Sequence, residues 1–154
     1  MNYTKIQTEL LKDWVKAKQK GKHVSYYFIA DQAKGQVFIT DGYAGYFIPQ
    51  DLLLLDTKKM KELSKLPFDT TGNFDDYRLE WNGKEQFINN KLRAAVLECS
   101  KWETYVDTKY LHNFDLKVTT FYQAPKTHSP VFAYEKQKGE DVLVGIILPI
   151  IKNK

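Results

Sequence analysis

The run VLVGIILPII (142–151) constrains this 154-residue chain more than any other stretch. An apolar run of ten residues in a basic, lysine-rich sequence must be largely hidden somewhere. A membrane helix needs roughly 20 apolar residues, and this run is interrupted by Gly145 and Pro149. A buried β-strand fits better, because Val142, Leu143, Val144, Ile146 and Ile147 are mostly β-branched and suit a strand covered on both faces. No membrane partner is expected. The opening MNYTKIQTELLKDWVK carries no apolar stretch of signal-peptide type.

The rest of the chain is patterned for an α+β fold. Residues 4–20 read as an amphipathic helix, with Ile6, Leu10, Trp14 and Ala17 on one stripe and Leu11 and Val15 widening it. Thr4 is the expected N-cap and Gly21 the stop. Strands are predicted at 24–30, 36–40 and 46–49, with turns at DQAKG and DGYAG. Residues 51–55 (DLLLL) read as either strand or helix. A short helix is predicted from Asp56, with Met60, Leu63 and Leu66 on one face, followed by a polar loop over 67–76. Asn82-Gly83 between YRLEW and KEQFI predicts a hairpin over 77–88. Residues 92–100 read as a strand, and Asp107 as the cap of a short helix bearing Tyr110, Leu111 and Phe114. The segments 116–123, 129–135 and 142–150 complete the strands, with KQKGED as the last turn.

Helix followed by strands occurs twice, ending once in YFIP and once in IILPI. FIADQAKGQVFIT and FAYEKQKGEDVLVG share a strand, a lysine-and-glycine turn and a strand. The organisation expected is one domain over 1–154 with repeat-like halves, about 4–66 and 77–151.

Three stretches resemble the sliding clamps of DNA replication, the bacterial β-clamp type in particular. VDTKYLHNF (106–114) is similar to the short helix that opens a clamp repeat. SPVFAYE with VLVGIILPI is similar to the closing strands, Leu148-Pro149-Ile150 standing where the clamp has its tail. VFITDGYAGYFIP (37–49) resembles the strand–turn–strand of a first repeat. The resemblance implies a DNA-clamp-like fold, two helix-plus-antiparallel-strand repeats with the helices on one face of the sheets. It implies a non-enzymatic role in a bacterial or phage-like replication setting. Double-stranded DNA without sequence preference and replication proteins would be the partners. Leu148, Pro149 and Ile150 would line a pocket for short peptides, or else simply end the core. A bacterial clamp subunit holds three such domains and this chain has room for one, so encircling DNA would require a homo-oligomer.

The charges suit such a partner without demanding it. Lys and Arg number 23 against 19 Asp and Glu, for a net charge of +4. At about 100° per residue, Lys5, Lys12, Lys16 and Lys20 fall within an arc of roughly 80°, opposite Ile6, Leu10 and Trp14. Lysine ammonium groups there would meet phosphates without reading bases. Lys109 is the counterpart on the second helix. Glu9 and Asp13 border the same arc at helical spacings from Lys12 and Lys16, so a solvated, salt-bridged face is the alternative. A second functional reading follows: a protein-interaction module of a phage or mobile element that keeps the clamp fold and leaves DNA alone.

Little points to an enzyme. Cys99, the single cysteine, excludes an intramolecular disulfide, suits a reducing, cytoplasmic setting and sits in an apolar strand. His23, His112 and His128 show no metal-ligand spacing, so no metal is expected. Gly35, Gly42, Gly45 and Gly72 are scattered turn glycines rather than a phosphate loop, and no cofactor is expected. Trp81 and Trp102 could stack on unpaired bases, but alternating strands more often use such rings as cross-strand pairs.

Overall fold

The computed structural model describes residues 1–68, 77–124 and 129–151. The chain is α+β and divides into two compact units, Met1–Pro67 and Phe68–Lys154. Residues 69–76 of the expected polar loop, with Gly72, and His128 lie outside the described residues.

The first unit opens with α1 (Tyr3–Gln19). Its cap is Asn2, whose side-chain oxygen accepts from the Lys5 N–H at 3.0 Å. Thr4 is not the cap: it lies inside the helix, where its carbonyl accepts from the Thr8 hydroxyl. The far end closes on Gly21 (φ +69°), with Gly21 N–H bonded to Lys18 O and Lys22 N–H to Ala17 O. Those two crossed bonds need a left-handed residue, which glycine supplies at no steric cost. Ile6 and Leu10 are buried. Trp14 stacks on Tyr26 at 4.8 Å, and the Tyr26 hydroxyl donates to Leu10 O.

A three-stranded antiparallel meander follows: β1 (Tyr27–Asp31), β2 (Gln36–Thr40) and β3 (Ala44–Pro49). The helix expected from Asp56 does not form. Residues Thr57–Lys59 make one 3-10 turn, and β4 (Lys61–Glu62) pairs parallel with the start of β1. Lys61 N–H bonds Tyr26 O and Leu63 N–H bonds Phe28 O, so the edge of β1 claims this backbone at every second residue. The order within this unit is β4-β1-β2-β3.

The second unit contains β5 (Arg78–Phe87), β6 (Arg93–Glu98), β7 (Glu103–Asp107), the four-residue helix α2 (Thr108–Leu111), β8 (Thr119–Gln123), β9 (Val131–Gln137) and β10 (Glu140–Ile147). The hairpin expected at Asn82-Gly83 is absent. β5 runs straight through, pairing Glu80 and Trp81 with Glu98 and Leu97, then Glu85, Gln86 and Phe87 with Ala95, Ala94 and Arg93. Asn82, Gly83 and Lys84 form a bulge between those registers. Gly83 takes its positive φ (+84°), the Asn82 side chain accepts from the Lys84 N–H, and the Trp81 indole donates to Lys84 O. The true turn spans 88–92, where Asn89 accepts from the amides of Lys91 and Leu92.

Order in this unit is β10-β9-β8-β5-β6-β7. The sheet curls until the chain after β10 reaches β7: Ile150 N–H donates to Tyr105 O at 2.7 Å. Phe121, Val131, Ala133, Ile147, Leu97 and Val106 are buried. Phe114, just past α2, lies edge-on to Phe121. The terminal run is therefore strand, with Val144, Ile146 and Ile147 buried. α2 is capped by Asp107, as expected, and buries Tyr110 and Leu111. In both units a helix precedes a three-stranded antiparallel meander, β1–β3 in one and β8–β10 in the other.

Candidate binding surface

α1 carries three of the five candidate lysines, Lys5, Lys12 and Lys16, and Lys20 follows as its C-cap residue. Lys5, Lys12, Lys16 and Lys20 are all exposed on one helix face. Lys12 Nζ stands 3.9 Å from the Glu9 carboxylate, an exposed i,i+3 pair that contributes at most a few tenths of a kcal/mol. Lys109 belongs to the second unit and sits over the Tyr110 ring at 4.9 Å. With only four residues, α2 offers no face comparable to that of α1.

The apolar stripe of α1 is narrower than the sequence suggests. Leu11 is 50% exposed and Val15 47%. One turn apart, they line an open depression with Thr8, Glu9, Lys12, Asp13 and Lys16. The reason is Gln7, a polar residue next to Ile6 and only 2% exposed. Its amide N–H donates to Leu52 O (3.0 Å) and Tyr3 O, and its oxygen accepts from Leu54 N–H (2.6 Å) and Leu55 N–H (3.2 Å). Gln7 thus straps the 52–55 segment against α1, and no strand or long helix forms there; Gln50–Leu52 is a 3-10 turn. Leu52 and Leu54 are left 47% and 70% exposed. Reading the sequence missed Gln7, Leu52 and Leu54 as surface-forming residues. The available signal was a glutamine inside an apolar stripe, which has to find buried partners.

Of the C-terminal candidates, Ile150 reaches β7. Ile150 gives its N–H to Tyr105, Pro149 and Ile150 are half-buried, and Leu148 is 39% exposed. Trp81 and Trp102 spend their indole N–H inside the second unit: Trp81 on Lys84 O, Trp102 on Gln123 Oε1 at 2.8 Å. Trp81 lies edge-on to His112, and Trp102 stacks on Tyr77. Cys99 is half-buried and His23 exposed. Among the described residues, no three His, Cys, Asp or Glu side chains converge, and no helix is long and apolar enough to cross a membrane.

The geometry explains a perturbed acidity at Tyr26. Burial disfavours its phenolate, and the carboxylates of Asp41 and Asp13 add to that, so its pKa is pushed well above the ordinary 10.0. The neutral hydroxyl is thereby kept as a donor to Leu10 O, a structural role.

Comparison with protein-family models, with curated proteins and with solved structures finds no match to this chain.

Proposed function

We propose that this chain is a non-enzymatic, DNA-clamp-like protein that associates with duplex DNA through the lysine face of α1. The observation that carries the reading is the exposure of Lys5, Lys12, Lys16 and Lys20 on one side of a single helix. The twice-used helix-and-meander order supports the clamp-like design. Replication proteins are the partners this design implies, with Leu148, Pro149 and Ile150 as their contact. Such lysines neutralise phosphates and release counterions, so binding ignores sequence and falls with salt.

Four phosphate contacts predict an affinity loss on the order of a hundredfold between about 50 and 200 mM salt. Fluorescence anisotropy on an unrelated pair of duplexes measures it. Lys12→Glu with Lys16→Glu should abolish binding to both duplexes. Absence of binding at low salt, or indifference to that double substitution, would sink the reading.

A second reading has its own observation. Leu11 and Val15 stand about half exposed beside the lysines, which phosphate contact does not require. They favour a protein-interaction module, of a phage or mobile element, that keeps this architecture without holding DNA.

A further inference from the structure

We infer that the strip formed by Leu11, Val15, Leu52 and Leu54 is a docking site for an acidic amphipathic helix of a partner protein. Exposed aliphatic side chains are ordinary when scattered. Here Gln7 joins the two segments that carry the four. Leu54 N–H lies 2.6 Å from Gln7 Oε1, and Leu11 follows Gln7 by one helical turn. Gln7 is buried and uses both ends of its amide on the 52–55 backbone. The leucines are therefore held outward before any partner arrives, which lowers the ordering cost of association.

Charge identifies the occupant. Around α1, at about 100° per residue, Gln7 is followed in turn by Lys18, Leu11, Val15, Lys12, Lys5 and Lys16, with uncharged side chains between them. Across that half of the helix the ionisable side chains are all lysines. Glu9 comes just beyond Lys16 and pairs with Lys12, and Asp13 lies round toward Tyr26; both border, on the lysine side, the depression that Leu11 and Val15 line. On the other flank, Asp51 and Asp56 stand at the ends of the leucine segment, the Asp56 carboxylate being turned onto the Lys58 N–H. Lys58 and Lys59 follow, exposed. An apolar strip bordered by lysines matches a helix with aliphatic residues at i, i+3 or i+4, and i+7, and carboxylates beside them. Duplex DNA has no apolar stripe to set against Leu54. The inference extends the second reading above and does not depend on DNA binding.

The test is a displayed library of random peptides of about 16 residues, long enough for four helical turns, panned against the full chain. Enriched sequences should combine the aliphatic spacing with Asp and Glu. A synthetic copy of the best should lose at least about tenfold in affinity on Leu54→Glu and on Leu11→Glu. Both side chains are half or more exposed, so the urea midpoint should stay put; Leu54→Ser is the milder variant if it does not. Amide shifts on binding should centre on Leu11, Val15 and Leu54. No enrichment, enrichment without the acidic pattern, or a peptide that binds the variants unchanged overturns the inference. Duplex DNA binding or self-association that disappears with Leu54→Glu, without any enriched peptide, also overturns it and gives the strip to DNA or to a second copy.

Discussion

Gln7 in the first unit and Gln123 in the second are both almost inaccessible to water, and both use the donor and the acceptor of their amides, yet they fasten different things. Gln7 ties a helix to an irregular segment through the backbone of Leu52, Leu54 and Leu55. Gln123 ties the end of one strand to the surroundings of another: its amide donates to Ser129 O (2.8 Å) and the Thr104 hydroxyl (3.4 Å), and its oxygen accepts from Trp102 Nε1. The first unit has few strands and relies on a 17-residue helix to cover them. Among its described residues the second has six strands and a four-residue helix, and it curls on itself. Where sheet closes on sheet, the helix shrinks. Where it does not, the helix stays long and its outer face is exposed.

The largest test of that contrast is the pair Gln123→Leu and Gln7→Leu. Leucine at 123 takes the amide away from the Trp102 indole, the Ser129 carbonyl and the Thr104 hydroxyl in the interior, a loss of about 3 kcal/mol. Leucine at 7 orphans backbone groups of a surface segment that water can reach, so the loss should be nearer 1 to 2 kcal/mol, on the order of one or two neutral hydrogen bonds. Urea midpoints measure both. Equal losses, or the reverse order, would mean that the leucine segment is as integral to its unit as the curl is to the other. Gln7→Leu should also free the 52–55 amides to exchange while leaving those of β8 protected.

Tyr26 gives a smaller effect, confined to the first unit. Its folded pKa is raised, so the fold favours the neutral phenol. Below the ordinary value of 10.0 the phenol is neutral in both states and its contribution is intact. Above that pH the unfolded chain ionises first, and stability falls until the folded group also titrates. Wild-type urea midpoints should therefore drop more steeply between about pH 9.5 and 11 than those of Tyr26→Phe. At neutral pH the phenylalanine variant should be about 1 kcal/mol weaker, through loss of the bond to Leu10 O. Parallel alkaline curves would show that Tyr26 ionises freely and does not clamp α1 to β1.

Much of this is legible in the sequence wherever the determining contacts are local. β2 is found at 36–40, as its β-branched run and flanking turns predict. Asp107 caps α2, and the 136–141 turn tightens to Lys138-Gly139 between paired Gln137 and Glu140. The lysine face follows from helical spacing alone. Sequence expectations fail where distant backbone decides. Asn82-Gly83 has the chemistry of a hairpin, but ten residues of β5 find a longer pairing along β6, so the glycine serves a bulge instead. Met60, Leu63 and Leu66 have a helical spacing, but the open edge of β1 captures the chain. β7 lies in KWETYVD, where Thr104, Tyr105 and Val106 suit a strand but the run is short; pairing with β6 makes it one. Leu11 and Val15 look like core on a helical wheel. Only the partners of Gln7, 45 residues away at Leu52, reveal that the helix faces outward there.

The smallest test compares the two helix caps. Asn2 and Asp107 each accept one backbone N–H, from Lys5 and Lys109, both at 3.0 Å. Matching geometry does not predict matching cost. α1 begins at the surface, where the Asn2 side chain closes its first turn, so Asn2→Ala should cost about 1 kcal/mol. α2 is one turn long, and other contacts keep it in place. The Thr108 hydroxyl donates to Arg93 O, and Tyr110 and Leu111 are buried beneath it. Asp107→Ala should then cost about 0.5 kcal/mol or less, because packing and not the cap sets that turn. Thermal midpoints order the two variants, and amide exchange at Lys5 and Lys109 locates the change. If Asp107→Ala proves the costlier, α2 depends on its cap as an isolated helix would, and the curled sheet does not impose the turn.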